Sequence, residues 1–210
     1  MYLPQHFTAD ARETRELLSG IRAADLVTAT EAGLFATFLP LIFDEATGGH
    51  GSLLGHVARR NDHWQLGPHG ESLVIVHGPD GYISPGWYAA KREHGRVVPT
   101  WNYLTAHVYG QLVIHDDPAW LEDLVRRLTD SHEAERAEPW SVDDAPRDYV
   151  EAQLRAIVGV EIRITRVQAK AKLGQNRAGG DIDGVIAGLG ADGNQQLADA
   201  TARGRRDGVS

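Results

Sequence analysis

Apolar residues in this chain recur mostly in short alternating runs, with helical spacing in only a few places. Asp10 and Glu13 form a D-x-x-E cap ahead of Leu17, Leu18 and Ile21, which predicts a short first helix ending near Gly20. Asp25–Thr30 is a β-rich run, Glu31–Gly33 a turn, and Leu34–Phe43 a second strand, so the two strands read as a hairpin. Gly48–Gly51 is a loop, Ser52–Val57 a third strand and Ala58–Trp64 a short helix. Leu73–His77 reads as a buried strand whose pairing Tyr82 and Ile83 extend, and Pro85 starts a short helical turn. A long strand then runs from about Thr100 to Ile114.

Helical spacing begins at Asp117-Pro118, a cap residue followed by proline at the first helical position, and continues through Leu121, Leu124, Val125 and Leu128. A second helix begins near Pro146, with Val150, Leu154 and Ile157. Val158, Val160, Ile162 and Ile164 alternate with Gly159, Glu161, Arg163 and Thr165, the pattern of a half-buried strand. From about Asp181 the chain is Gly- and Ala-rich helix. Six or more strands at hairpin spacing predict a mainly β fold with α additions (α+β), an antiparallel sheet closed into a barrel with flanking and C-terminal helices. There is no β-α-β alternation and no Gly-x-Gly-x-x-Gly, which excludes a Rossmann domain. The expected organisation is a barrel domain over residues 1–177 with a helical insertion at 117–156, then a helical tail over 178–210.

The long strand has two different faces. Side chains alternate along a strand, so Trp101, Tyr103, Thr105, His107, Tyr109 and Gln111 point one way, and Leu104, Ala106, Val108, Leu112 and Ile114 the other. The second set is an ordinary core face. The first is too polar for a core and too aromatic for a plain solvated face, and with the amide of Asn102 close by it suits a flat, partly polar ligand or a partner subunit. An amphipathic edge strand with aromatic cross-strand pairs has the same pattern.

Composition narrows the classes. The 210 residues are 42% hydrophobic and 24% charged, ordinary for a globular protein. No run approaches the roughly 18 apolar residues that span a bilayer, and Met1–Phe7 lacks the basic flank and apolar stretch of a signal peptide. The expectation is a cytoplasmic protein with no membrane partner. With no cysteine, disulfides and thiolate chemistry are excluded. No His-x-x-x-His or His-Glu-x-x-His pair occurs among the ten histidines, so no metal is expected. The net charge of −8 argues against direct DNA binding. The densest basic cluster, Arg203 to Arg206, reads as a frayed, solubilising tail.

Three segments offer chemistry. Gly55-His56-Val57-Ala58-Arg59-Arg60-Asn61 reads as a strand running into a helix start beside two guanidiniums, a combination suited to a phosphate monoester; two surface arginines are the alternative. Ser84-Pro85-Gly86-Trp87-Tyr88 places Trp87 either over a ring or the barrel mouth, or as an anchor of its loop in the core. Lys172-Leu173-Gly174-Gln175-Asn176-Arg177 closes over a ligand, contacts a dimer mate, or is a capped loop.

In order along the chain stand Met1-Tyr2-Leu3-Pro4-Gln5-His6-Phe7, the Gly55–Asn61 segment, Tyr82-Ile83-Ser84-Pro85-Gly86-Trp87-Tyr88, Val98-Pro99-Thr100-Trp101-Asn102-Tyr103, Pro139-Trp140-Ser141, Ile157–Ile162 and Lys172–Arg177. This set resembles the PaiB-like family, the FMN-binding negative transcriptional regulators, over about residues 1–190. One position departs: the family's Lys-Leu-Ser-Gln-Asn has Gly174 in its serine slot here. The resemblance implies an FMN-binding split barrel that pairs as a homodimer and holds flavin at the dimer interface, in a sensor or regulator. A flavin-dependent oxidoreductase is the second reading, and a haem-binding split barrel with His107 on the iron the third. In split-barrel pyridoxamine phosphate oxidases a Ser-Arg-Lys holds the FMN phosphate; the counterpart here looks like Ala58-Arg59-Arg60, without the hydroxyl. The residues expected at the cofactor are His56, Arg59, Arg60 and Asn61 at the phosphate, Thr37 at the ring edge, and Trp101, Asn102, His107 and Gln111 at the ring or the mate.

Overall fold

The structure is a computed structural model and describes residues 1–205. Six strands, β1 (Ala23–Thr30), β2 (Gly33–Asp44), β3 (Ser52–Ala58), β4 (Ser72–Ile83), β5 (Thr100–His115) and β6 (Ile157–Lys172), close a barrel in the order β1-β2-β3-β6-β5-β4. The helices are α1 (Ala11–Ser19), α2 (Ala90–Glu93), α3 (Pro118–Glu133), α4 (Arg147–Leu154), α5 (Gly179–Ala191) and α6 (Gln195–Arg203). The expected α+β barrel is the one observed. None of the helices is long and apolar enough to cross a membrane.

Local signals account for most of the elements. At the start of α1, Asp10 Oδ1 accepts from the Glu13 amide and Glu13 Oε2 accepts from the Asp10 amide, both at 2.8 Å, a reciprocal capping box. At α3 the Asp117 carboxylate accepts from the Trp120 amide at 2.8 Å, with Pro118 in the first turn. The β1–β2 hairpin pairs Ala23 with Pro40 through Thr30 with Gly33, antiparallel throughout.

The chain divides into two compact units. One comprises residues 1–17, 77–106 and 168 onward. Its core gathers Ile83, Tyr88, Ala171, Leu173, Val185, Leu189 and Leu197. Trp87 packs on α5 here: a Cβ added at Gly188 would lie 2.2 Å from the Trp87 ring, so the helix carries glycine where the indole rests. Trp87 thus anchors its loop. The other unit comprises residues 18–76 and 107–167. In it Leu121, Val142, Val150 and Leu154 pack α3 against α4, and Leu54, Leu124 and Leu128 pack α3 onto β3.

Two expectations are corrected. Residues 58–64 do not form a helix: β3 runs to Ala58, and only Asp62–Trp64 coil, as one 3-10 turn. The Arg59 amide donates to Ala156 O at 2.8 Å, which extends the sheet pairing past the point where a helix would begin. β6 is not half-buried in alternation, since Val158 to Ile162 are buried on both faces. The reason is α3, whose Trp120 lies over Gly159. The C-terminal segment is ordered through α6, with Leu197, Ala198 and Ala200 buried, and Arg205 paired with Asp183 at 2.6 Å. Arg206 lies outside the described residues.

Candidate functional site

The end of β3 and the turn after it gather five of the expected site residues in one unit. His56 is half-buried on the β3 face that also carries Ser52 and Leu54. Its Nδ1 is buried and has no hydrogen-bond partner, and burial holds its pKa below the ordinary histidine value. A neutral imidazole with a buried, unsatisfied nitrogen is a group that a bound ligand would complete. Arg59 is engaged elsewhere. Its guanidinium donates Nη1 to Asp116 Oδ2 at 3.0 Å and Nη2 to Asp116 Oδ1, while Nε and Nη2 reach the carbonyls of Arg155 and Ile157 at 2.8 and 2.9 Å. Arg60 is exposed and makes no side-chain bond among the described residues.

Asn61 caps the following 3-10 turn by accepting from the His63 amide at 2.9 Å, and its Nδ2 donates to Thr37 Oγ1 at 3.3 Å. Thr37 faces inward and is held again by His63, whose Nδ1 lies 2.8 Å from its hydroxyl. His63 Nε2 lies 2.8 Å from Thr28 Oγ1, and Thr28 in turn lies 2.8 Å from Ser72 Oγ. The His63 ring is 1% exposed and meets Phe35 edge-on at 5.1 Å. Burial holds its pKa below the ordinary value. This chain of hydroxyls and imidazole ties β1, β2, β4 and the turn together. The sequence reading passed over His63, because its partners come from two distant segments, β1 and β2, and no motif marks it.

A second polar cluster was also missed. Burial alone would raise the pKa of Glu161, but hydrogen bonds from His115, Arg163 and Ser52 outweigh it and hold the carboxyl below its usual range. The distances are 2.8 Å to His115 Nε2, 3.2 Å to Arg163 Nε and 2.9 Å to Ser52 Oγ. His115 stacks on Trp120 at 4.0 Å. Here the hydroxyl meets the carboxylate and not the imidazole, so the set lacks the order of a hydrolase triad.

On β5 the two faces fall as expected only in part: Asn102, Ala106 and Val108 are buried and Trp101 and Gln111 exposed, but Leu104, Leu112 and Ile114 of the expected core face are half-buried, as are His107 and Tyr109. Trp101 donates Nε1 to Asp80 Oδ2 at 2.9 Å. Asn102 belongs to the buried face, opposite Trp101. Trp101 and Asn102 lie in the unit that begins at Met1; His107 and Gln111 lie with Thr37 and His56 in the other.

In that second unit β2 presents an open apolar stripe. Leu34 and Phe38 are 80% and 68% exposed, and Ala36 and Pro40 are exposed between and beyond them. The register sets half-buried Ala23, Asp25, Val27 and Ala29 of β1 beside them, Asp25 opposite Phe38, and Ile75 and Leu73 of β4 beyond.

The comparisons with known proteins agree with this fold. Residues 1–166 match the family described as "Putative FMN-binding domain". The chain belongs to that family. Within it, the chain is 34% identical over 191 residues to protease synthase and sporulation protein PAI 2 of Bacillus subtilis, covering 90% of this chain and 89% of that one. The resemblance to the PaiB-like family therefore holds along most of the sequence. Among solved structures, the FAD and heme binding protein from Mycobacterium smegmatis aligns with a TM-score of 0.53 at 17% identity, covering 85% of this chain and 80% of that one. The flavocytochrome Anf3 from Azotobacter vinelandii aligns with a TM-score of 0.53 at 16% identity, covering 79% and 68%. The fold shared with these family and structural neighbours is the split barrel.

Proposed function

We propose that this protein binds FMN as a two-fold homodimer in the cytoplasm and acts as a flavin-dependent sensor or regulator. The observation that carries the reading is the open apolar stripe of Leu34, Ala36, Phe38 and Pro40, continued across β1 and β4. Asp25 interrupts the face beside Phe38, but apolar side chains as exposed as Leu34 and Phe38 on one strand are rarely left wet in a soluble monomer, and a second copy of the chain covers them most simply. His107 and Gln111, on the same unit, stand ready to meet the mate or the ring.

The residues present fit a flavin. Buried His56 Nδ1 lacks a partner, and the exposed Arg60 guanidinium is free to take a phosphate. Arg59 serves by bracing the turn that carries Arg60, and Thr37 by fixing that turn through Asn61 and His63. Trp101 and Asn102 remain proposed for the ring or the mate. Bound flavin would supply hydride or electron transfer, while the protein orients it and excludes water. A regulator needs only the change in the flavin's state. Turnover of a small molecule is the alternative, and rapid reoxidation of the flavin with NADPH present would favour it.

The test is an FMN titration by fluorescence quenching, together with the absorption spectrum of the purified protein. Saturable quenching with flavin bands supports the reading. A Soret band, or no saturation at micromolar protein, overturns it.

A further inference from the structure

The unit that begins at Met1 holds a cleft of about 450 Å³ between the α2 segment and the start of α5. Its walls carry His94, Arg96, Asn176, Arg177, Glu93 and Asp181. The volume lies in the range of small-molecule sites. The formal charges of the lining balance, Arg96 and Arg177 against Glu93 and Asp181. Of the two carboxylates, Asp181 is already used: it accepts from the Ala90 amide at 2.9 Å and lies 3.7 Å from Arg177. Glu93 is exposed.

The two guanidiniums differ in how they are held. Arg177 stacks over the Tyr88 ring at 4.0 Å, and its backbone amide donates to Gly174 O at 2.9 Å. Gly174 sits at φ +82°, a left-handed conformation that closes this turn and explains glycine in the slot where the family carries serine. Arg96 is exposed, and its side chain has no bond among the described residues. Nearby, the Lys172 ammonium has its pKa lowered by burial first, then by repulsion from Lys170 and Arg177, so positive charge accumulates on this side of the unit. The first turn of α5, which no side chain caps, adds its partial positive charge.

We propose that this cleft binds the phosphate group of a phosphorylated small molecule, with Arg96 and Arg177 as its ligands and Asn176 donating an amide N–H. Two planar guanidiniums match a phosphate dianion in charge and in donor number. The group bound is that of a second phosphorylated ligand, because Arg60 is the residue proposed for FMN's phosphate, and the experiment separates the two. The proposal does not rest on the flavin reading, because the probe is inorganic phosphate.

The experiment is calorimetry of inorganic phosphate, FMN and riboflavin on the wild-type protein, Arg96→Ala and Arg177→Gln. Phosphate affinity should fall roughly tenfold or more in each variant, as expected for the loss of one charge-assisted contact. Arg96→Ala removes an exposed, unbonded side chain and leaves the fold intact, so its result stands even if Arg177→Gln loosens the Tyr88 packing. If Arg96→Ala weakens FMN equally and spares riboflavin, the phosphate in the cleft is FMN's own. If FMN affinity is unchanged while phosphate binding is lost, the cleft serves a second phosphorylated ligand. Phosphate binding that depends on Arg96 in a protein that binds no FMN would defeat the flavin reading and keep this site. No saturable phosphate binding at millimolar concentration, or equal affinity in wild type and both variants, overturns the proposal.

Discussion

Arg59 and Asp116 face each other in a two-pronged ion pair, and the same guanidinium reaches the carbonyls of Arg155 and Ile157. With its four acceptors all protein atoms, Arg59 is a brace between the end of β3 and the start of β6. This pairing holds Asp116 below the ordinary aspartate pKa and raises Arg59 further.

The two adjacent arginines therefore separate in their effects. Arg59→Ala should lower the melting temperature and change FMN affinity less than about twofold, since four of the guanidinium's five N–H donors already serve protein acceptors and its charge is paired with Asp116. Arg60→Ala should leave the melting temperature unchanged and weaken FMN roughly tenfold, with riboflavin unaffected. Calorimetry with both flavins and a thermal melt of each variant check this. Equal loss of FMN in the two variants, with equal stability, would refute it.

Assembly is the second prediction. The stripe of Leu34, Ala36, Phe38 and Pro40 should lie at the centre of a two-fold interface burying more than roughly 2,000 Å² in total, the size of obligate dimers. Phe38→Asp places two like charges near the axis, and light scattering at micromolar concentration should show the wild type as a dimer and the variant as a monomer. A monomeric wild type would end the proposal of a homodimer.

How much of this was legible in the sequence depends on how far apart the partners lie. The β1–β2 hairpin, α1 with its Asp10–Glu13 box and α3 with Asp117-Pro118 each rest on signals within a few residues, and each stands where the pattern put it. Strand alternation made the β5 faces legible in part. The segment after Ala58 was not, because a pairing from Ala156 decides it. Nor was the burial of Glu161, which depends on α3 covering a second face of β6. His63 meets Thr37 and Thr28, 26 and 35 residues away, and no local spacing announces such a pair. The grouping of His56, Arg59, Arg60 and Asn61 at the end of β3 was legible from their adjacency, and the engagement of Arg59 by Asp116, 57 residues away, was not.

The His63 network gives a pH prediction. In the unfolded chain a histidine takes its proton near pH 6.5. In the fold, burial keeps His63 neutral to lower pH, and His56 shifts in the same direction for the same reason. Below about pH 6.5 the unfolded state therefore binds more protons than the folded one, and stability falls as pH drops. It is fully present above that value. Urea midpoints at about pH 7.5, 6.5 and 5.5 should decline in that order. His63→Leu should lose about 1–3 kcal/mol at neutral pH through its orphaned hydroxyl partners, and its decline toward acid should be shallower. An unaltered slope in the variant would show that His63 does not carry the effect.

The last prediction concerns DNA. The chain carries −8, and tight duplex binding draws on clustered cations that neutralise phosphates and release counterions. The helices available are committed to packing: Leu121, Leu124 and Leu128 of α3 and Val150 and Leu154 of α4 are buried against their neighbours. The basic side chains on α3 are also paired, Arg126 with Glu122 and Asp143, and Arg127 with Asp44 and Asp123. A guanidinium already held by carboxylates brings little net charge to a phosphate. The purified protein alone should bind duplex DNA weakly at physiological salt, with any regulatory role exercised through a partner or through the flavin. Gel shifts across a salt series measure this. Tight, sequence-specific binding with a steep salt slope would contradict it and would require a cationic surface on some other part of the protein.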